Sequence, residues 1–214
     1  MSTYFRKLVF ILLAAIIFLA GCGSNPPATT QAPATSAKAE QKPPAPSTAR
    51  QCFTNTVSLA QRWEPDALPF HMESQLTGEA TGQGGTATVW TVIFGSQSRG
   101  TMRTFICSGS RLSSAPAFGL TSTSESAYPS NVPALMFHPS YFQNDSDKAF
   151  ETSLEHGGTA LIKKDSKQPV LYLLDWDTRQ RELLWTLIYG TNQSDRQGVA
   201  VINATNGNFV RAGR

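Results

Sequence analysis

An internal repeat limits the possible folds of this sequence more than any other feature. Residues 90–97 read Trp-Thr-Val-Ile-Phe-Gly-Ser-Gln, and residues 185–192 read Trp-Thr-Leu-Ile-Tyr-Gly-Thr-Asn. Four positions are identical and the other four are conservative exchanges. Both runs are rich in β-branched and aromatic residues and follow a polar turn, so each is predicted to be a β-strand. The repeat indicates a chain built from two similar structural units.

The segments around the two repeat strands have the same predicted order. Helices are predicted at Thr54–Trp63 and Ser146–His156, where apolar residues recur at helical spacing, and Gly157 and Gly158 should end the second helix. The further predicted strands are Leu68–Gln75, Thr101–Cys107, Val170–Trp176, Gly198–Asn203 and Asn208–Arg211. The predicted fold class is therefore α+β, with two tandem repeats, each a short helix packed on a small antiparallel sheet of three to four strands.

The predicted units occupy residues 52–111 and 145–214, with a connecting segment at residues 112–144. The connecting segment contains several prolines, but its second half is too apolar for a free loop, with Leu135, Met136, Phe137, Tyr141 and Phe142. We expect this half to pack between or across the two units.

The C-terminal unit resembles a PepSY-like domain. The residues that carry the resemblance are the Trp-led strand at 184–187 and the run Gly198-Val-Ala-Val-Ile-Asn-Ala-Thr-Asn-Gly-Asn-Phe209. The family typically has an apolar strand ending in Asp-Ala-x-x-Gly; here Asn203 stands in the place of Asp, and the first unit ends differently, in Cys107-Ser-Gly-Ser110. The resemblance implies a secreted α+β module that modulates a peptidase or binds an envelope partner, with no catalytic residues to transfer.

The N-terminus has the organisation of a secretory signal. Arg6 and Lys7 precede an unbroken apolar run from Leu8 to Ala20, which as a helix of about 20 Å is too short to span a hydrocarbon core of roughly 30 Å. The run ends in Leu19-Ala-Gly-Cys22, which is similar to the lipobox of bacterial lipoproteins. The resemblance implies that residues 1–21 are a cleaved signal peptide and that Cys22 is acylated, which anchors the protein to a membrane without crossing it.

Residues 22–51 are predicted to be the lipidated cysteine and a disordered stalk. They are rich in Pro, Ala, Thr, Ser and Gln and contain few large apolar residues, so they cannot bury enough surface to fold. Gly23 follows the cysteine, where Asp would be the usual inner-membrane retention signal. The predicted location is therefore the cell envelope, at the outer membrane facing the periplasm if the source has two membranes.

The charges and the cysteines of the folded part indicate an oxidising compartment and no nucleic-acid partner. The chain has 18 Lys and Arg and 15 Asp and Glu, of which five and one precede Cys52, so the folded part is close to neutral. It has no basic stripe interleaved with aromatic residues, which argues against nucleic-acid binding. With Cys22 assigned to the lipid, Cys52 and Cys107 remain as a pair and are predicted to form a disulfide.

No motif for catalysis, metal binding or a cofactor is present, and none of these is predicted. His71, His138 and His156 are far apart in the sequence, and no nucleophile elbow or phosphate-binding loop occurs. The most suggestive residues are Asp175 and Asp177 on either side of Trp176. The two carboxylates should share one face of a strand, with countercharge from the arginines of the following turn, and an exposed Trp176 would mark a binding surface.

The sequence therefore favours a membrane-anchored, non-catalytic module that binds a protein or peptide partner in the envelope. Strand addition to an exposed sheet edge is the expected binding mode. Two alternatives stay open: a hydrolase whose site is assembled from residues distant in sequence, and a structural subunit of an envelope assembly.

Overall fold

The computed structural model describes residues 45–213, so the predicted signal peptide, Cys22 and most of the predicted stalk lie outside the described residues. The described part is α+β, as predicted. Its strands are β1 (Ser47–Thr48), β2 (Leu68–Gln75), β3 (Thr86–Ala87), β4 (Val89–Ser96), β5 (Thr101–Ser108), β6 (Gly119–Ser122), β7 (Ser126–Ala127), β8 (Val170–Asp177), β9 (Glu182–Tyr189), β10 (Gly198–Asn203) and β11 (Phe209–Gly213). Its α-helices are α1 (Ala49–Trp63), α2 (Val132–Leu135), α3 (Ser146–Ser153) and α4 (Thr159–Lys164).

Nine strands form one antiparallel sheet. Its order is β11-β10-β9-β8-β2-β4-β5-β6, and β7 pairs with the start of β5. The centre of the sheet is the pair formed by β2 and β8, which belong to different predicted units. The prediction of two separate sheets of three to four strands is therefore wrong. The strands of the two predicted units form one continuous sheet, joined by the pairing of β2 with β8. The pairing removes two edges that separate sheets would expose.

The core lies between one face of the sheet and the helices. Trp90 and Trp185, the leading residues of the sequence repeat, are fully buried there, and their ring centroids are 6.4 Å apart. Tyr172 contacts both rings, at 5.9 Å from Trp90 and 6.3 Å from Trp185. Each indole Nε1 donates a hydrogen bond to a backbone carbonyl just before a helix, at Ser47 and Asn144. These bonds fix the starts of α1 and α3 against the sheet.

Helix α1 begins five residues earlier than predicted, at Ala49 instead of Thr54, so residues 49–51 belong to the fold rather than to the stalk. Its N-cap residue Thr48 makes no side-chain capping bond. Instead, Ser146 Oγ accepts a hydrogen bond from the Ala49 amide and Asp145 Oδ1 accepts one from the Arg50 amide. Unsatisfied amides at a helix start need such acceptors, and here they come from residues nearly a hundred positions away.

The second predicted helix, Ser146–His156, ends three residues earlier than predicted, and a further helix that was not predicted follows it. Helix α3 ends at Ser153, a π-helical turn follows at Leu154–Gly158, and α4 then continues to Lys164. The break occurs where Gly157 has a φ of 110°, a left-handed conformation that favours glycine. The glycines therefore interrupt the helix as predicted, but the chain resumes a helical path afterwards.

Part of the predicted connecting segment is built into the core. Phe137 and Phe142 are buried. The ring of Phe142 lies 4.8 Å from Phe53 of α1 and 5.7 Å from Trp185 of β9. The apolar second half of the segment thus packs on the helix side of the sheet, and its first half contributes β6 and β7.

The predicted disulfide is present between Cys52 and Cys107, with Cα atoms 5.8 Å apart. It joins the first turn of α1 to β5. The closed loop spans 55 residues, so the bond mainly restricts the unfolded chain.

We expect replacement of both cysteines by alanine to lower the free energy of unfolding by about 2–4 kcal/mol, because a loop of this size regains its freedom in the unfolded state. Denaturant unfolding monitored by tryptophan fluorescence measures the change. Reductant should shift the wild-type protein to the stability of the variant and leave the variant unaffected. Equal midpoints for the variant and the oxidised wild type would contradict the prediction.

Candidate binding surface

The sheet ends on one side at β6, whose outer edge pairs with no strand in the part of the chain that the structure describes. The amide of Thr123 donates to the carbonyl of Thr104 on β5. Because hydrogen bonding alternates along antiparallel strands, Leu120 and Ser122 direct their backbone N–H and C=O groups away from β5. β6 therefore offers a short row of backbone donors and acceptors to another strand.

Exposed apolar side chains cluster at this edge. The exposed large hydrophobic residues within residues 45–213 are Leu112, Phe118, Leu120 and Tyr141. Three of the four lie on β6 or in the loop before it, with Phe118 exposed to 55%. The guanidinium of Arg111 lies 4.1 Å from the centroid of Phe118. A concentration of exposed apolar side chains next to an open edge is typical of an interaction site.

Two surface pockets lie between α1 and β6, and Leu120 lines both of them. The pocket near the start of α1 has a volume of about 300 Å³ and is lined by Cys52, Asn55 and Cys107 among others. The pocket near the end of α1 has a volume of about 420 Å³. Its lining residues are Leu59, Arg62, Trp63, Arg103, Phe105, Leu120, Thr121 and Ser122. We call the two pockets together the β6 groove.

Among the described residues, the other end of the sheet also has an unpaired edge, at β11, but the apolar side chain at the corresponding place is covered there. Leu120 of β6 pairs with Cys107 of the neighbouring strand, as Phe209 of β11 pairs with Ile202. The ring of His156 stacks on Phe209 at 3.9 Å, whereas Leu120 is 40% exposed. The difference arises because the chain after α3 continues over β10 and β11, while α1 stops short of covering β6.

We call the larger pocket, near the end of α1, the wide end of the groove. Several charged side chains lie around Glu125 at this end. Thr101 Oγ1 and Trp63 Nε1 donate hydrogen bonds to this carboxylate over 2.8 and 3.1 Å. These bonds, together with the nearby charges of Arg99 and Arg103, lower the pKa of Glu125. The guanidinium of Arg103 lies 5.1 Å from the centroid of Trp63 and 3.9 Å from Glu125. Glu125 is thus fixed as an anion beside Arg103 at the end of α1.

A second charged cluster lies on the sheet face opposite α1 and α3. His71 Nδ1 is 2.6 Å from Asp175 Oδ1, and its Nε2 is 3.5 Å from Glu73. Burial disfavours the charged imidazole, but hydrogen bonds with Asp175 and Glu73 and their negative charges outweigh it and raise the pKa of His71 to about 9. The countercharge of Asp175 is therefore a histidine on a neighbouring strand, which corrects the predicted pairing with the arginines of the following turn.

The predicted binding residues around Trp176 have separate surroundings. Asp177 Oδ1 accepts hydrogen bonds from the amides of Arg179 and Gln180 and so caps the turn between β8 and β9. Trp176 is partly buried against the core, and its ring lies 5.0 Å from Tyr141. A binding role for Trp176, Asp175 and Asp177 stays a prediction.

The sequence pattern does not predict β6 as a strand, and it does not indicate Leu120 or Arg103 as candidate binding residues. Residues 112–144 were interpreted as a connecting segment, because the prolines obscured a strand of four residues. The available signal was the alternation of Phe118 and Leu120 with small or polar residues. The pairing partner that makes β6 an edge cannot be read from this pattern.

Within residues 45–213, no three His, Cys, Asp or Glu side chains are grouped so that they could hold a metal ion. No helix in this range is long and apolar enough to cross a membrane.

The sequence matches no protein-family model and no curated protein. The fold is similar to the crystal structure of a candidate lipoprotein from Clostridium difficile 630, with a TM-score of 0.51 and 11% sequence identity. The similar region covers 81% of this chain and 95% of that chain. At this identity the likeness concerns the fold alone.

We expect the ring of His71 to titrate with a midpoint of about 9, measured by NMR of the imidazole protons. The raised pKa stabilises the folded protein fully below the ordinary value of 6.5, and this stabilisation is lost as the pH rises through about 9. Asp175→Asn should lower the midpoint, because Glu73 would then be the only carboxylate that stabilises the charged imidazole against the effect of burial. Asp177→Asn, which changes a carboxylate on the same strand face, should leave it unchanged. A wild-type midpoint near 6.5 would contradict the assignment.

Proposed function

We propose that this protein is a non-catalytic, lipid-anchored envelope protein that binds a protein or peptide partner by strand addition at β6. The observation that carries the proposal is the open edge of β6 beside three exposed apolar side chains, Leu112, Phe118 and Leu120. Natural proteins usually protect such edges with charge, proline or a covering element, because an open edge pairs with other chains. An edge that is open and apolar is suited to a partner.

The proposed anchoring rests on the N-terminal sequence. The lipobox ending in Cys22 and the Pro-rich residues that follow support a lipid-anchored module held away from the bilayer. The fold shared with a candidate lipoprotein is consistent with an envelope location. If the source has two membranes, Gly23 after the cysteine favours the outer membrane.

We further propose that the sheet consists of two PepSY-like copies and that the partner is a peptidase or another envelope protein. The support is that the two tryptophans of the repeat hold matching places in the strand register. The paired positions are Trp90 with Ser74 and Cys107, and Trp185 with Leu174 and Ile202. Both indoles also donate to the backbone before a helix. This agreement supports the proposal of two structurally related copies.

The surroundings of His71 favour a binding protein over a hydrolase. A general base must accept a proton near neutral pH. With its pKa raised to about 9, His71 is already protonated there and is held between Asp175 and Glu73. In this state it has no free nitrogen lone pair to activate a nucleophile.

We expect a photo-crosslinking residue in place of Leu120 to give one discrete adduct in intact cells of the source organism, identified by mass spectrometry. The matched control is the same residue in place of Tyr141, which is exposed to 43% compared with 40% for Leu120 but lies beside Trp176. Ser122→Pro in the Leu120-labelled protein should abolish the adduct, because it removes an outward amide donor without removing a hydrogen bond to β5.

The control also distinguishes the surfaces. An adduct from position 141 alone would reject β6 and support the surface around Trp176. No adduct from either position would count against the binding proposal.

We expect Cys22→Ser to abolish incorporation of labelled palmitate and to remove the protein from lipid-anchored fractions, because the thiol is the proposed acylation site. Ser24→Ala, a change two residues away, should leave both properties unaffected. Continued labelling of the Cys22→Ser variant would exclude this cysteine as the anchor.

A further inference from the structure

Arg103 is positioned at the wide end of the β6 groove with unused hydrogen-bond donors. Its Nε–H is buried and has no partner among the described residues. Its guanidinium stacks near Trp63 and lies 3.9 Å from Glu125, which is beyond hydrogen-bonding distance. A buried guanidinium N–H without a partner carries a desolvation cost, so the protein does not fully satisfy this side chain.

Glu125 does not supply this acceptor, because its nearest oxygen lies 3.9 Å from Arg103. The hydrogen bonds of this carboxylate come from Thr101, Trp63 and the Nε of Arg99. Arg103 lines the pocket and 28% of its side chain is exposed, so its guanidinium can meet a ligand there.

The described residues that line the wide end of the groove carry positive charge and no negative charge. Their ionisable groups are the guanidinium groups of Arg62 and Arg103. Arg62 is exposed, lines the same pocket and forms no ion pair within residues 45–213. An incoming carboxylate would balance the charge and could engage a guanidinium with two hydrogen bonds.

The strand register places this positive charge at a defined distance from the apolar part of the groove. Leu120 and Ser122 pair with Cys107 and Phe105, so their side chains face α1 and the groove. In a strand added to β6, side chains two residues apart would lie beside Leu120 and Ser122. Ser122 is small, so a long side chain beside it has room to reach Arg103 across β6.

We propose that the β6 groove selects an extended peptide segment in which an apolar side chain and an acidic side chain are two residues apart. The apolar side chain packs on Leu120, and the carboxylate passes Ser122 and accepts hydrogen bonds from Arg103. This inference rests on the proposed function, because it assumes strand addition at β6. It adds the chemical class of the partner.

The test begins with a random decapeptide library panned against the full chain in detergent. The strongest peptide is then synthesised with its acidic residue and with glutamine in its place, and both are titrated by fluorescence polarisation. We expect enriched peptides to contain the apolar and acidic pair. Arg103→Gln should weaken binding of the acidic peptide by about ten- to hundredfold and affect the glutamine peptide little.

Three further variants keep the result interpretable if Arg103→Gln weakens the fold. Arg103→Lys retains the charge but lacks the planar fork, so it should recover part of the affinity. Arg62→Gln changes an exposed side chain and should weaken the acidic peptide by about two- to fivefold. Ser122→Pro should abolish binding of both peptides, because it blocks strand addition.

The outcomes separate this inference from the proposed function. Peptides that need an intact β6 edge, but show no acidic preference and no dependence on Arg103, would overturn the inference and leave strand addition standing. A library that yields no binder would overturn both. Arg103-dependent binding to vesicles containing anionic phospholipid, without peptide binding, would replace the peptide by a membrane surface.

Discussion

The pairing of β2 with β8 is the interaction on which the rest of the structure depends. These strands come from distant parts of the chain, and the hydroxyl of Ser74 accepts a hydrogen bond from the amide of Tyr172 across them. Tyr172 in turn contacts both buried tryptophans and donates its hydroxyl to the carbonyl of Gly82. The central strand pair and the aromatic cluster above it therefore form one unit, and neither set of strands has a complete core without the other.

This central pair also decides where the sheet ends. With β2 and β8 inside the sheet, the free edges belong to the outermost strands, β6 and β11. The two edges differ in how they are covered, because His156 stacks on Phe209 while Leu120 has no comparable cover. The asymmetry follows from the path of the chain after α3, and it leaves exposed apolar side chains beside the edge of β6 but not beside the edge of β11.

The charged groups are divided between the two faces of the sheet. On the face opposite α1 and α3, His71 is held between Asp175 and Glu73, an arrangement that compensates its charge within the protein. On the side of α1, Arg103 lies beside a glutamate whose hydrogen bonds come from other residues. The first cluster is satisfied internally, and the second retains donors. This difference is the physical basis for the proposal of a binding site at β6.

The sequence by itself determined the α+β class, the main strands, and the link between Cys52 and Cys107. These features depend on local periodicity, on the repeat, or on a pair that has no other partner, all of which a linear sequence contains. The pairing of β2 with β8, the capping of α1 by Asp145 and Ser146, and the partner of Asp175 depended on the tertiary structure, because each joins residues about a hundred positions apart. The proposed binding edge at β6 belongs to the same group. A strand lies at the edge of a sheet only when no other strand pairs with its outer side, and that depends on how the whole sheet is assembled.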